Sequence, residues 1–306
     1  MFFTPITFFQ QPTNSITPGS SSIFGSTGAN PAGIAIDSAG NIYTANYTSD
    51  SVSKITAAGV STVSYKTVGN GPSGIAISSS GDIFTTNKLA NTVSKITPAG
   101  VVTLLYKTVG TGPIGITIDS IGNIYIANSG GTSISKISPT GALTASFATS
   151  VGISPYGITT DSSRNIYVTN ADSNTVSKIT PLRALTASWG TTGTFPQGIA
   201  IDSLGNIYTA NNTSNDISKI SPTGASTASW VSTGAGTGPY WIVIDSSDNL
   251  YVSLNTTNSV MKITPSGDSS FFGNTGLSPN GITIDTSGNI YTANFNSNSV
   301  SKITQP

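Results

Sequence analysis

The sequence predicts an all-β fold: a seven-bladed β-propeller of four-stranded blades, closed by its own N-terminal segment. Three observations predict it. A proline-anchored segment recurs seven times. Each repeat holds four short strand-like runs. The last repeat is one strand short, and the N-terminus carries a matching strand.

The anchoring prolines are Pro31, Pro72, Pro113, Pro155, Pro196, Pro239 and Pro279, at steps of 41, 41, 42, 41, 43 and 40 residues. A fixed period of that size marks a repeat architecture. In the first repeat, Gly33–Ile36 is an apolar run that ends in the turn cluster Asp37–Asn41. Ile42–Ala45 is the second run, closed by the polar loop Asn46–Asp50. Val52–Ile55 and Ser61–Tyr65 are the third and fourth. The runs are rich in Ile, Val, Thr and Tyr and are bounded by Gly, Asn, Asp and Ser, which is strand-and-turn chemistry. No window sustains a helical period. Four strands in roughly 40 residues is one propeller blade.

Closure follows from the ends. Only 27 residues follow Pro279, enough for three strands. The segment Ile16–Pro31 echoes Ile263–Pro279, so residues 15–30 are expected to supply the outer strand of the last blade. A closed ring has no exposed sheet edge. The expected division is an apolar arm over 1–14 and the propeller over 15–306. The arm carries Phe2, Phe3, Phe8 and Phe9. It is expected to strap the outside of blades 7 and 1 or to contact another chain in an oligomer or larger assembly.

The motifs Pro-x-Gly-Ile-x-Ile-Asp, Gly-Asn-Ile-Tyr and Val-Ser-Lys-Ile-Thr-Pro-x-Gly resemble NHL-type repeats. They look most like those of the seven-bladed streptogramin lyase-like propellers, over about residues 15–306. The resemblance implies the fold. It also implies a metal over the channel and a catalytic histidine. This chain departs there, because it has no histidine.

Composition excludes more. Lys+Arg and Asp+Glu are both 12, and charged residues are 8% of the chain, with no basic block to hold nucleic acid. There is no Cys, no His and no Glu. Thiol nucleophiles, disulfides and imidazole acid–base chemistry are therefore absent. No run of 18 apolar residues is present to span a membrane. The first ten residues, apolar but broken by Pro5, do not read as a signal peptide.

Positions that recur in every blade read as structure. Tyr43, Phe84, Tyr125, Tyr167, Tyr208, Tyr251 and Tyr291 form one aromatic class. Phe24, Tyr65, Tyr106, Phe147, Trp189, Trp230 and Phe271 or Phe272 form a second, on the outer strand. Both fit packing between blades. Asp37, Asp119, Asp161, Asp202, Asp245 and Asp285, with Ser78 as the exception, read as turn residues. One lysine per blade, Lys54 to Lys302, is expected to lay its stem on neighbouring strands and reach solvent or a turn Asp. Asn46, Asn87, Asn128, Asn170, Asn211, Asn255 and Asn294 are expected to end every second strand. With Asn and backbone carbonyls alone there, no metal or other cofactor is expected.

Subtracting the repeat leaves the candidate site. Trp241, Tyr240, Tyr156, Phe195, Tyr47 and Phe295 fall in the two loop types that emerge on one face of the ring. Trp241 replaces the glycine that the other six blades carry two residues after the proline. Exposed aromatics suit a protein or glycan partner; a Trp241 that plugs the channel is the plainer alternative. The sequence therefore favours a non-catalytic binding or structural propeller, extracellular, on a cell surface or in a particle. A metal-dependent lyase or lactonase and a cytoplasmic scaffold are the alternatives.

Overall fold

A computed structural model describes residues 17–306, so the arm over 1–14 lies outside the described residues. Seven four-stranded antiparallel sheets surround a channel. In blade 1 the strands run Pro31–Ile36, Ile42–Asn46, Ser51–Ile55 and Ser61–Thr67, from channel to rim. Blades 2 to 6 repeat this order. Blade 7 takes its outer strand from the N-terminus: Ser20–Ser26 pairs antiparallel with Ser299–Thr304. Phe24 on that strand packs with Tyr291 and Val300 of blade 7 and with Ile42 and Ile55 of blade 1. The closing strand thus joins the last blade to the first.

The core lies between blades. In one such cluster Tyr125, Phe147 and Ile134 of blade 3 pack on Ile158, Ile166 and Ile179 of blade 4. The two aromatic classes meet within each blade, at ring-centroid distances of 4.9 to 6.2 Å. The outer aromatic of blade 6 is Phe272, fully buried against Tyr251, whereas Phe271 is exposed. The blade lysine lies between the two aromatics. Lys54 Nζ is 5.5 Å from the Tyr43 centroid and 5.6 Å from that of Tyr65, and every blade repeats the sandwich. Besides the expected solvent or turn Asp, the ammonium thus meets ring faces, where the quadrupole attracts the cation. Only Lys95 also meets a carboxylate, Asp82 at 3.0 Å.

The turn aspartates do more than cap a turn. Asp37 Oδ1 accepts from the Ala39 and Asn41 backbone N–H, while Oδ2 accepts from Asn41 Nδ2 and the Tyr43 hydroxyl. Burial pushes the Asp37 carboxyl up, but these four hydrogen bonds outweigh it and hold it below its usual value. Blade 2 changes three members of this latch together: Ser78 stands for Asp, Asp82 for Asn, and Phe84 for Tyr. Its carboxylate has moved, and Lys95 meets it there.

A second latch closes the other face. Asn46 Nδ2 donates to Ser51 Oγ and Ser53 Oγ, and Thr44 Oγ1 donates to Asn46 Oδ1. Here blade 6 departs from expectation. Pro239 pairs with Leu254, as Pro31 pairs with Asn46, so Leu254 ends the strand and Asn255 lies one residue beyond. Met261 replaces the partner serine. Blade 6 has therefore exchanged both halves of a buried polar pair for apolar side chains. The longer loop before Pro239 is held instead by a bond between the Thr233 and Thr237 hydroxyls.

Candidate functional site

Each blade's first strand begins at its proline, and in five blades the next two residues both line the channel mouth. Glycine at the second of these lets adjacent strands converge. A Cβ on Gly115 would lie 2.1 Å from the Tyr156 carbonyl oxygen, and one on Gly157 would lie 2.2 Å from that of Gln197. No side chain fits such a gap. Trp241 holds this position in blade 6, with its N–H donated to Ser253 Oγ at 3.0 Å. A Cβ on Gly198 would meet Trp241 Cα at 2.7 Å, so blade 5 needs its glycine beside the tryptophan.

The mouth opens into a pocket of about 510 Å³, a size typical of small-molecule sites. One wall is aromatic. Tyr156 stands edge-on to Tyr240, at 6.3 Å and 82°, and is tilted against Trp241 at 6.4 Å. The two tyrosine hydroxyls hydrogen-bond at 2.6 Å, spanning the blade between them. Burial pushes the Tyr156 hydroxyl well up from its usual value, and its tyrosine neighbour pushes it further. Burial also raises Tyr240, offset in part by the bond from Tyr156. The pair therefore stays protonated and neutral at pH 7. The rest of the lining mixes small residues such as Ala32, Gly33, Ser73 and Gly74 with larger ones such as Tyr47, Lys88 and Phe295.

The structure brings five of the six candidate aromatics into this lining: Trp241, Tyr240, Tyr156, Tyr47 and Phe295. Phe195 is not among them. It precedes Pro196 with φ 59°, where other blades place Gly, Asn or Ser, and its backbone is held by Asn174 Oδ1 and the Asn212 N–H. A left-handed aromatic residue stores on the order of 1 kcal/mol of strain.

Among the lining residues that the sequence did not assign to the site are Lys88, Asn255 and Asn280. Lys88 was within reach. It follows strand-end Asn87 as Tyr47 follows Asn46 and Phe295 follows Asn294. Asn255 Nδ2 donates to Asn280 Oδ1 at 2.6 Å. No aspartate lines the pocket. The six true strand-end asparagines are buried and turned to their own latches. That donor set does not fit the hard cation which the family resemblance implies, since such an ion needs carboxylate oxygens.

The family model for virginiamycin B lyases matches residues 16–213, about two thirds of the chain. The chain belongs to the virginiamycin B lyase family. No curated protein sequence matches it. Among solved structures, a streptogramin B lyase is 19% identical, covers 96% of this chain and 100% of its own, and has a TM-score of 0.80. A catalytically inactive histidine-to-alanine variant of the Staphylococcus aureus virginiamycin B lyase, with quinupristin, is 21% identical, covers 90% and 94%, and has a TM-score of 0.76. The extracellular domain of a protein assigned to hybrid two-component systems in B. thetaiotaomicron is 13% identical, covers 94% of this chain and 41% of its own, and has a TM-score of 0.74. At these identities the likeness shows the fold.

Membership of a lyase family corrects one expectation. The missing His, Cys and Glu pointed to a chain that is not an enzyme, but the family and the first structural matches are lyases. Absent side chains exclude particular mechanisms; they do not exclude catalysis as such. Among the described residues no helix is long and apolar enough to cross a membrane. The pocket wall formed by Tyr240 and Trp241 lies beyond the stretch that the lyase family model matches.

Proposed function

We propose that this chain works by taking an organic molecule into the pocket at the channel mouth, with the Tyr156–Tyr240–Trp241 wall as the binding surface. One observation carries the reading. The only blade that loses the channel glycine replaces it with Trp241, beside a tyrosine bonded to a tyrosine two blades away. The ring packs on the core between blades 6 and 7 and also forms part of the pocket lining. A recessed wall favours a compact ligand such as a sugar ring or a peptide macrocycle over a broad protein face. An extracellular setting fits this reading, since some proteins of similar fold are extracellular domains.

A second reading has its own support in the family: the bound molecule is also opened by elimination. That chemistry needs a base and a group to hold the developing negative charge. The pocket offers the Lys88 ammonium and the neutral hydroxyls of Tyr156 and Tyr240 to hold that charge, while its lining holds no carboxylate or imidazole to act as the base. Quinupristin, the ligand of the similar lyase variant, is the first probe for both readings. Quenching of tryptophan fluorescence that is lost in Trp241→Phe is the expected sign of binding. A new chromatographic species, absent in Lys88→Met, is the expected sign of turnover. Binding by neither quinupristin nor any member of a glycan and macrocycle panel would overturn the pocket as the working site.

A further inference from the structure

We propose that the ligand of this pocket is an organic anion: an aromatic or apolar body against the tyrosine–tryptophan wall, with a carboxylate, sulfonate or phosphate directed to Lys88. The inference rests on the reading of the pocket as a ligand site and adds the ligand's charge.

The argument starts from where the charges are. The chain has ten lysines. Nine sit over aromatic rings: one in each blade sandwich, plus Lys66 over Tyr65 and Lys107 over Tyr106. Lys88 alone has no ring beneath it among the described residues, and no carboxylate within ion-pair distance. It is half-buried, and it lines the pocket. None of the twelve aspartates does.

The pocket thus carries a single formal charge, positive and unpaired. A half-buried ammonium without a counter-ion gives up hydration that a bound anion restores. Blade 2 lies across a seven-membered ring from blades 5 and 6, and Lys88 shares the pocket lining with the aromatic wall. One neutral donor lies in the same lining. Asn280 Oδ1 is taken by Asn255, and the Asn280 amide nitrogen has no acceptor among the described residues. The lining therefore adds one neutral donor to the Lys88 ammonium, beside the amide oxygens of Asn255 and Asn296. In the same position other blades carry Tyr47, Ser129, Ala171, Asn212, Asn255 and Phe295, so the fold does not require a lysine there.

Two fluorescent probes of one skeleton separate charge from shape: 8-anilinonaphthalene-1-sulfonate and the uncharged N-phenyl-1-naphthylamine. The sulfonate is expected to bind roughly fivefold or more tightly, with Lys88→Met removing that difference and Lys88→Arg keeping it. Added potassium chloride is expected to weaken the sulfonate alone in the unmodified protein, which needs no variant to fold. Trp241→Gly is expected to weaken both probes. Equal affinities, or a sulfonate affinity unmoved by both Lys88→Met and salt, would overturn the anion assignment and leave the pocket reading standing. Failure of both probes to bind, or binding unmoved by Trp241→Gly, would overturn the pocket reading and this inference with it.

Discussion

The hydroxyls of Tyr156 and Tyr240 meet at 2.6 Å although 84 residues separate them in the chain. The bond ties blade 4 to blade 6 over the top of blade 5. Each hydroxyl is the partner of the other in a half-buried wall. Removing one leaves its neighbour unsatisfied, so Tyr156→Phe or Tyr240→Phe is expected to cost about 1 kcal/mol. The double variant, which leaves no orphan, is expected to cost less than the two single costs added together. Urea unfolding of the three variants measures this. Additive costs would show that the hydroxyls act independently.

Two blades leave the buried Oδ1 of the strand-end asparagine without a donor among the described residues. In blades 1, 2, 5 and 7 a threonine hydroxyl donates to the strand-end asparagine Oδ1. Blades 3 and 4 carry Ile126 and Val168 instead, and Asn128 Oδ1 and Asn170 Oδ1 are unpartnered. Threonine is close to valine in shape. Val168→Thr is therefore expected to stabilise the protein by about 1 kcal/mol, against the usual loss when a hydroxyl enters a core. A lower denaturation midpoint in Val168→Thr would refute the latch as the source of stability.

Ring closure rests on a few contacts. Phe24 is the closing strand's bridge between blades 7 and 1, with its ring 5.2 Å from Tyr291 and Lys302 Nζ 5.5 Å above it. It is half-buried, so Phe24→Ala is expected to cost about 2 kcal/mol. The cost should appear together with faster hydrogen exchange in Ser299–Thr304, the strand it covers. Loss of stability without that local change would place the role of Phe24 elsewhere.

Much of this architecture was legible in the sequence because propeller chemistry is local. Proline, turn Asp and strand-end Asn each act within a few residues, so they recur at fixed spacing. The echo of Ile263–Pro279 in Ile16–Pro31 gave closure without any long-range signal. What the letters hid was register. Asn255 copies the strand-end asparagine in type but not in place, because the strand stops at Leu254. The aromatics of the pocket could be found as departures from the repeat. Their convergence could not, since the Tyr156–Tyr240 bond depends on ring curvature. Phe195 looks the same in the sequence and does not line the pocket.

Alkaline pH should loosen six blades together. Tyr43, Tyr125, Tyr167, Tyr208, Tyr251 and Tyr291 each donate to a turn aspartate. Burial and then the carboxylate push Tyr125 up to about 12, and burial does the same for Tyr251. Folding thus favours the protonated phenol. That contribution is whole below the unfolded value of about 10 and is lost as pH rises through the folded values. Stability is expected to hold to about pH 10 and then fall. Asp37 and Asp285, held below their usual value, add the opposite edge: their contribution is present above 3.8 and is lost as pH falls through the lowered values. Circular dichroism melts across pH would show both edges. A flat profile from pH 10 to about pH 12 would contradict the tyrosine latch.

Blade 6 makes the last test, because it has dropped a polar pair whole. Leu254 and Met261 stand where other blades bond asparagine to serine, and both pack in the blade 5–6 core. Leu254→Asn alone would bury an amide opposite a thioether, and Met261→Ser alone would leave a void and a hydroxyl opposite leucine. Each is expected to cost about 2–4 kcal/mol. The double variant restores the pair of the other blades, so its cost should fall at least about 1 kcal/mol short of additivity. Full recovery is not expected. In five other blades the serine also bonds the glycine three residues before the proline, as Ser53 Oγ accepts from Gly28 N–H. The longer loop of blade 6 uses Thr233 and Thr237 there instead. Additive single costs would mean that the two positions are not coupled. The blade 6 exchange would then be two unrelated substitutions rather than one repacking between blades 5 and 6.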